Sequence, residues 1–248
     1  MTLLGCDNPA DAIRSLSLIY KKEEYEIAAI ANGQWPDWLL EMSYESFIDH
    51  HFLYLMGVEL KSTASYNLAY TAYYHRTLYD GRSDWFDKGL LCSEDGVVAI
   101  LDKLKTHIPE LESIKKQAID NIKHRNQCEG PGGGGPYAFD TLDDAKVANQ
   151  LGKDYSVPEF LLKGMGGAIQ AHSLFESLTE LFRRELKPVV VKFKAKSSNP
   201  EQYVINLWHY LYRDWKGEPM PNNEHYPCTF SGDGVSVSSE NILDKIDL

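Results

Sequence analysis

The segment from Ile108 to Pro136, IPELESIKKQAIDNIKHRNQCEGPGGGGP, most constrains what this chain can fold into. Pro109 sits in a first turn, where its missing N–H is harmless, and Glu110 and Glu112 follow where a helix start favours negative charge. Leu111, Ile114, Ala118 and Ile122 recur at steps of three and four, so they share one helical face. Lys115, Lys116, Asp120 and Lys123 lie off it. Gly130 and Pro131 end the helix. The tetraglycine Gly132 to Gly135 loses too much backbone entropy to form helix or strand, which predicts an exposed, mobile loop between Pro131 and Pro136.

Further helices are expected on both sides. Asp7-Asn8-Pro9 caps one that runs to about Asn32, and Trp35-Pro36-Asp37 starts another that reaches Gly57. Ser62 or Thr63 would cap a third through Tyr79, carrying Tyr66, Tyr70, Tyr73, Tyr74 and Tyr79. A fourth is expected from about Asp95 to Thr106. Beyond the loop, helices are predicted over Thr141 to Leu151 and Glu159 to Leu186, the latter kinked at Gly164-Met165-Gly166-Gly167. Ser198-Asn199-Pro200-Glu201 opens a last one, with Val204, Leu207, Trp208, Leu211 and Trp215 as its apolar stripe. Val189 to Phe193 is strand-like but has no evident partner. From Gly217 the chain turns to Pro, Asn, Gly and Ser, with one helical turn expected at Glu240 to Ile246. The expectation is an all-α helical bundle with a Gly/Pro-rich loop, 1–216 forming one domain and 217–248 an irregular C-terminal extension.

With 248 residues, 43% of them hydrophobic, the chain can bury a sizeable core. No apolar run approaches the roughly 18 residues that span a bilayer, so no membrane partner and a cytoplasmic location are expected. Cys6, Cys92, Cys128 and Cys228 are far apart and form no C-x-x-C pair, so they read as reduced thiols. A net charge of −11 argues against a broad nucleic-acid surface. Local basic stretches remain, at Lys115 to Arg125 and at Arg183 to Lys196.

The His124-Arg125-Asn126 ending of the core helix, with paired helices around it from Phe47 to Leu186, resembles the HEPN superfamily. Those are helical-bundle proteins, many of them ribonucleases or partners of nucleotidyltransferases in prokaryotic conflict systems. Active members carry R-x4-6-H, whereas the corresponding positions after Arg125 hold Gly130, Pro131 and Gly132. The resemblance therefore implies a catalytically degenerate member that binds a partner protein or RNA, in a defence or toxin–antitoxin setting, with a homodimer as one assembly. Lys123, His124, Arg125 and Asn126 would hold the phosphate or partner, since a guanidinium offers a fixed fork of donors.

The rival reading is an enzyme whose pocket is lined by the tyrosine-rich helix and by histidines. His50 and His51 are consecutive and point about 100° apart on a helix, so a metal would also need His75, Glu45 or His172. His172 and Glu176 lie one turn apart and suit an acid–base pair. His75, His172 and Glu176 are thus the catalytic candidates. No Walker loop, GxSxG elbow or GxGxxG fingerprint occurs, and no cofactor is expected. A third reading is an inhibitor whose acidic surface mimics a nucleic acid.

Overall fold

Tyr70–Tyr79, the tyrosine-rich segment expected to be helical, is a ten-residue β-strand. This corrects the all-α expectation, because the strand belongs to a four-stranded mixed sheet and the fold is α/β. The physical reason is side-chain type. Tyrosine and threonine fit a pleated, packed surface better than a helix. Thr71, Ala72, Tyr73 and Tyr74 are all buried, so the strand shows no polar alternation to betray it. The computed structural model describes residues 3–40, 50–67, 70–105, 109, 111–130, 133–148, 172–218 and 228–248.

In chain order the elements begin with β1 (Leu3–Leu4), α1 (Pro9–Tyr20), α2 (Glu24–Ala31), α3 (Asp37–Leu40), α4 (His50–Glu59) and β2 (Tyr70–Tyr79). After a short 3₁₀ turn at Ser83–Phe86 come α5 (Ser93–Leu104), α6 (Leu111–Glu129), β3 (Tyr137–Ala138) and α7 (Leu142–Val147). The last described elements are α8 (His172–Glu185), β4 (Lys187–Ala195), α9 (Pro200–Lys216), β5 (Phe230–Ser231) and β6 (Ile242–Asp247). The larger sheet has the order β1-β2-β4-β6, and β3 pairs with β5 in a two-stranded sheet. β1 runs parallel to β2, with Leu3 opposite Tyr70. β4 and β6 are antiparallel, with Val189 opposite Asp247 and a register shift between Lys192 and Phe193. The Val189 run thus finds partners, and where one helical turn is expected at Glu240 to Ile246, a 3₁₀ turn at Ser239–Asn241 leads directly into the strand β6. The expected kink at Gly164 to Gly167 lies outside the described residues.

Local signals explain where helices start and stop. Asn8 Oδ1 accepts the Asp11 amide at 3.0 Å, and Pro9 follows the cap. Lys21 then takes a left-handed conformation, which ends α1 ahead of the expected Asn32 and makes α2 a separate helix. α9 is capped by Asn199 and closed by left-handed Gly217.

The chain divides into two compact units. The first comprises Met1–Tyr74, Phe139–Val147 and Lys194–Phe230. Its core gathers Tyr20, Trp35 and Trp208, with Trp208 edge-on to Tyr20 at 6.0 Å and to Trp35 at 5.9 Å. The second comprises His75–Ala138, Ala148–Phe193 and Ser231–Leu248. There Val97 and Leu101 of α5, Ala118 and Ile122 of α6, and Leu178, Leu181 and Phe182 of α8 form one apolar cluster. Each of these side chains other than Ala118 contributes about 1.5–3 kcal/mol on burial.

A second correction concerns the glycine loop. Its described part is packed, because Gly134, Gly135 and Pro136 are buried. Gly134 has φ +79°, and a Cβ there would lie 2.7 Å from Asn126 Nδ2. The missing side chains let neighbouring atoms close in, so here glycine gives compactness and not mobility.

Candidate functional site

The second unit contains a cleft of about 870 Å³. One wall is β2, where His75 and Thr77, two residues apart and both half-buried, stand on the same face of the strand. Another is α5, and the floor is the 3₁₀ turn carrying Trp85 and Phe86.

The packed loop positions the histidine. Ser93 N donates to Gly134 O at 3.0 Å, and Gly232 N donates to Pro136 O at 2.9 Å. Asn126 secures the same corner: Ser93 Oγ donates to its Oδ1 at 3.1 Å, and its Nδ2 donates to Glu94 Oε1 at 3.2 Å. With both sides of the loop tied down, the next residue presents its carbonyl, and Tyr137 O lies 2.7 Å from His75 Nδ1. A carbonyl can only accept, so Nδ1 carries the proton. In the neutral ring the lone pair is therefore on Nε2.

The loop between Phe86 and α5 is equally fixed. Leu90 and Val237 exchange two backbone hydrogen bonds, at 2.9 and 2.8 Å, and Cys92 N donates to Ser236 Oγ at 2.9 Å. At Gly89 (φ +87°) a Cβ would fall 1.9 Å from Val237 O, so no other residue fits. Lys103 places its ammonium 3.8 Å from the Trp85 ring centre. Four aspartates line the cleft. Asp102 receives Lys115 at 2.7 Å and Lys105 at 3.0 Å, and the Lys115 bond is the main cause of its lowered pKa. Asp95 accepts the Cys92 thiol at 3.5 Å. Asp84 and Asp87 complete the set and are exposed.

A different concentration of polar groups lies in the first unit. Asp140 is fully buried and accepts from Asn206 Nδ2 at 2.6 Å, Thr229 Oγ1 at 2.7 Å and Thr229 N at 3.2 Å. Burial pushes its carboxyl up to about 7 against the pull of those donors. Asp144 meets Arg213 at 2.8 Å, both almost wholly inaccessible. Tyr210 donates to Asp143 at 2.7 Å. Tyr74 accepts from Cys6 N at 3.0 Å and donates to Asp7 at 2.7 Å. Burial first, and then the Asp144 charge, push the Cys6 thiol up, which leaves it inert as a nucleophile. His209 is lowered to about 3, by burial and then by Arg213.

The residues proposed from sequence are spread over both units. His51 belongs to the first, exposed and stacked on Tyr54, while His75 belongs to the second. The side chains of His50 and His172, and Glu45, lie outside the described part of the structure. Glu176 is exposed on α8. Lys123 and His124 are exposed near the end of α6, Arg125 is half-buried, and Asn126 is engaged as described. Among the described residues, no group of three or more His, Cys, Asp or Glu side chains is arranged to hold a metal ion. Sequence reasoning missed Tyr137, whose contribution is a backbone carbonyl. It also missed the Asp140, Asp143 and Asp144 set, although Thr141 ahead of α7 was there as a helix-start signal.

No family model, curated protein or solved structure matches the chain. The HEPN resemblance is thereby corrected: no family match supports it, and strands β2 and β3 lie inside the region it covered. Among the described residues, no helix is long and apolar enough to cross a membrane.

Proposed function

We propose that the protein is an enzyme that binds a small organic molecule in the cleft of its second unit and uses His75 to move a proton on it. The observation that carries this is the 2.7 Å hydrogen bond between His75 Nδ1 and the Tyr137 carbonyl. It fixes the tautomer and orientation of a histidine that lines a cavity of substrate size, as a general base requires. Trp85, Phe86 and Leu78 supply apolar wall, and the aspartates and lysines supply polar anchors. A reducing, cytoplasmic compartment fits the four free cysteines.

The test is turnover of a panel of acyl, phosphoryl and glycosyl test substrates by wild type and by His75→Ala. Turnover of at least one class is expected, falling by about a hundredfold or more in the variant. Equal rates in the two proteins would remove His75 from the chemistry. A second proposal, binding of a partner protein or RNA through Lys123, His124 and Arg125, is favoured by the exposure of both Lys123 and His124 near the end of α6. It is read by salt-dependent RNA binding of Arg125→Ala.

A further inference from the structure

Resting on that reading of the cleft, we infer that Gly96 determines its specificity: the ligand is a neutral molecule with a flat ring, which packs against α5 in the room a side chain would fill. Among the described residues two glycines lie inside helices, Gly57 of α4 and Gly96 of α5. Packing requires the first, since a Cβ on Gly57 would fall 2.9 Å from Ser62 O. Gly96 has no such reason. A Cβ there would meet only Leu91 Cβ, at 3.9 Å, which is ordinary contact, and its backbone is ordinary helix. Glycine is a poor helix former, so alanine at this position would serve the fold better. What the missing Cβ leaves is space, and that space belongs to the cleft, because Gly96 and Leu91 both line it. The helix is oriented to match. Val97 and Leu101 turn one side of α5 into the apolar cluster, whereas Gly96, Ala99, Ile100 and Lys103, spaced by three and four, follow one another along the cleft wall. That wall is thin at Gly96 and Ala99 and thickens towards Ile100 and Lys103. A ring laid on the thin part touches the helix backbone itself, a closeness that a side chain at position 96 would prevent. Charge does not choose this ligand. Asp84 has Arg82 3.8 Å away, Asp102 receives Lys115 and Lys105, Lys88 follows Asp87, and Lys245 donates to Ser83 O at 3.3 Å. With acids and cations interleaved, shape is left to discriminate.

The test sets stability against binding. 2-Naphthol, neutral and flat, and decahydro-2-naphthol, neutral and puckered, are titrated by calorimetry, with the Gly96 amide followed by NMR and assigned through its loss in Gly96→Ala. 2-Naphthol is expected to shift that amide and to bind at least about tenfold more tightly than the puckered probe. Gly96→Ala should melt about 2–4 °C higher than wild type, because alanine is the better helix former. The same variant should bind 2-naphthol about tenfold more weakly, because a methyl group now fills the contact. Equal affinity for the two probes overturns the flat ligand. Unchanged 2-naphthol binding in Gly96→Ala, or a variant that melts below wild type, overturns the role of Gly96, and a probe still seated in the cleft then leaves the cleft reading standing. If 2-naphthol shifts no amide of the lining at millimolar concentration, the flat ligand falls, and turnover by wild type against His75→Ala decides the cleft reading by itself.

Discussion

The two units handle charge in opposite ways. In the first, Asp140 is surrounded by three donors and Asp144 is paired with Arg213, so both buried acids are engaged by their own chain. In the second, Asp84, Asp87, His75 and Lys103 line an open cavity and face a space. The contrast teaches that acidic residues alone do not mark a site. A carboxylate whose bonds are completed by its own chain holds structure together, whereas one left at the rim of a cleft can be completed by a ligand.

The comparison breaks most visibly at Arg213. Arg213→Met strands Asp144 in the interior and should cost about 3–5 kcal/mol, measured by urea unfolding. A loss below about 1 kcal/mol would mean that the Arg213–Asp144 pair does not hold the first unit together.

Next in size is a pair of opposed pH dependences. Asp140, raised to about 7, binds its proton more readily in the folded chain. Its contribution is therefore fully present below the ordinary carboxylate range, and is lost as pH rises towards 7. His209, lowered to about 3, behaves oppositely: its contribution is present above about 6.5 and is lost as pH falls towards 3. Each amounts to at most about 5 kcal/mol, and their pH dependences nearly cancel between pH 4 and 6.5. In Asp140→Asn, stability should rise with pH across that window, and in His209→Gln it should fall. Slopes of the same sign in both variants would show that these groups do not govern the balance.

Smaller still is Asn126→Ala, which removes the bonds to Ser93 and Glu94 and should cost about 1–2 kcal/mol. Loss of RNA or partner binding with unchanged stability would instead make this corner a recognition surface. The smallest effect on folding is expected at the cleft. His75→Ala should cost under about 1 kcal/mol, because the ring is only half-buried. A melting temperature that drops as far as that of Arg213→Met would erase the distinction between the units.

The sequence was legible where one physical signal acts alone. Asn8-Pro9 and Asn199-Pro200 announce helices through a cap and a preset φ, and both helices form there. The apolar steps along Leu111 to Ile122 likewise lie within α6, burying Ala118 and Ile122. The signal failed where neighbours decide. Tyr70–Tyr79 buries side chains on both faces and so has no polar alternation, and Val189 reads as unpaired because β6 lies in a polar, glycine-rich tail. The glycine loop reads as mobile until Asn126 is known to press against Gly134. His75 could be named from sequence as a candidate. Its partner could not, since it is a main-chain oxygen 62 residues away.

Each unit is assembled from three separated stretches of chain, and this has a consequence during synthesis. Trp208 Nε1 donates to the Tyr20 hydroxyl across 188 residues, so at ribosomal rates Tyr20 waits roughly 10–40 s for that partner. Through that interval the nascent Met1–Tyr74 segment holds Leu16, Ile19, Ile27 and Phe52, all destined for the interior, without the helix α9 that completes its unit. Neither unit can close until its last stretch has left the exit tunnel. The emerging chain is therefore a natural client for chaperones that hold exposed apolar segments, and a poor candidate for expression in truncated form.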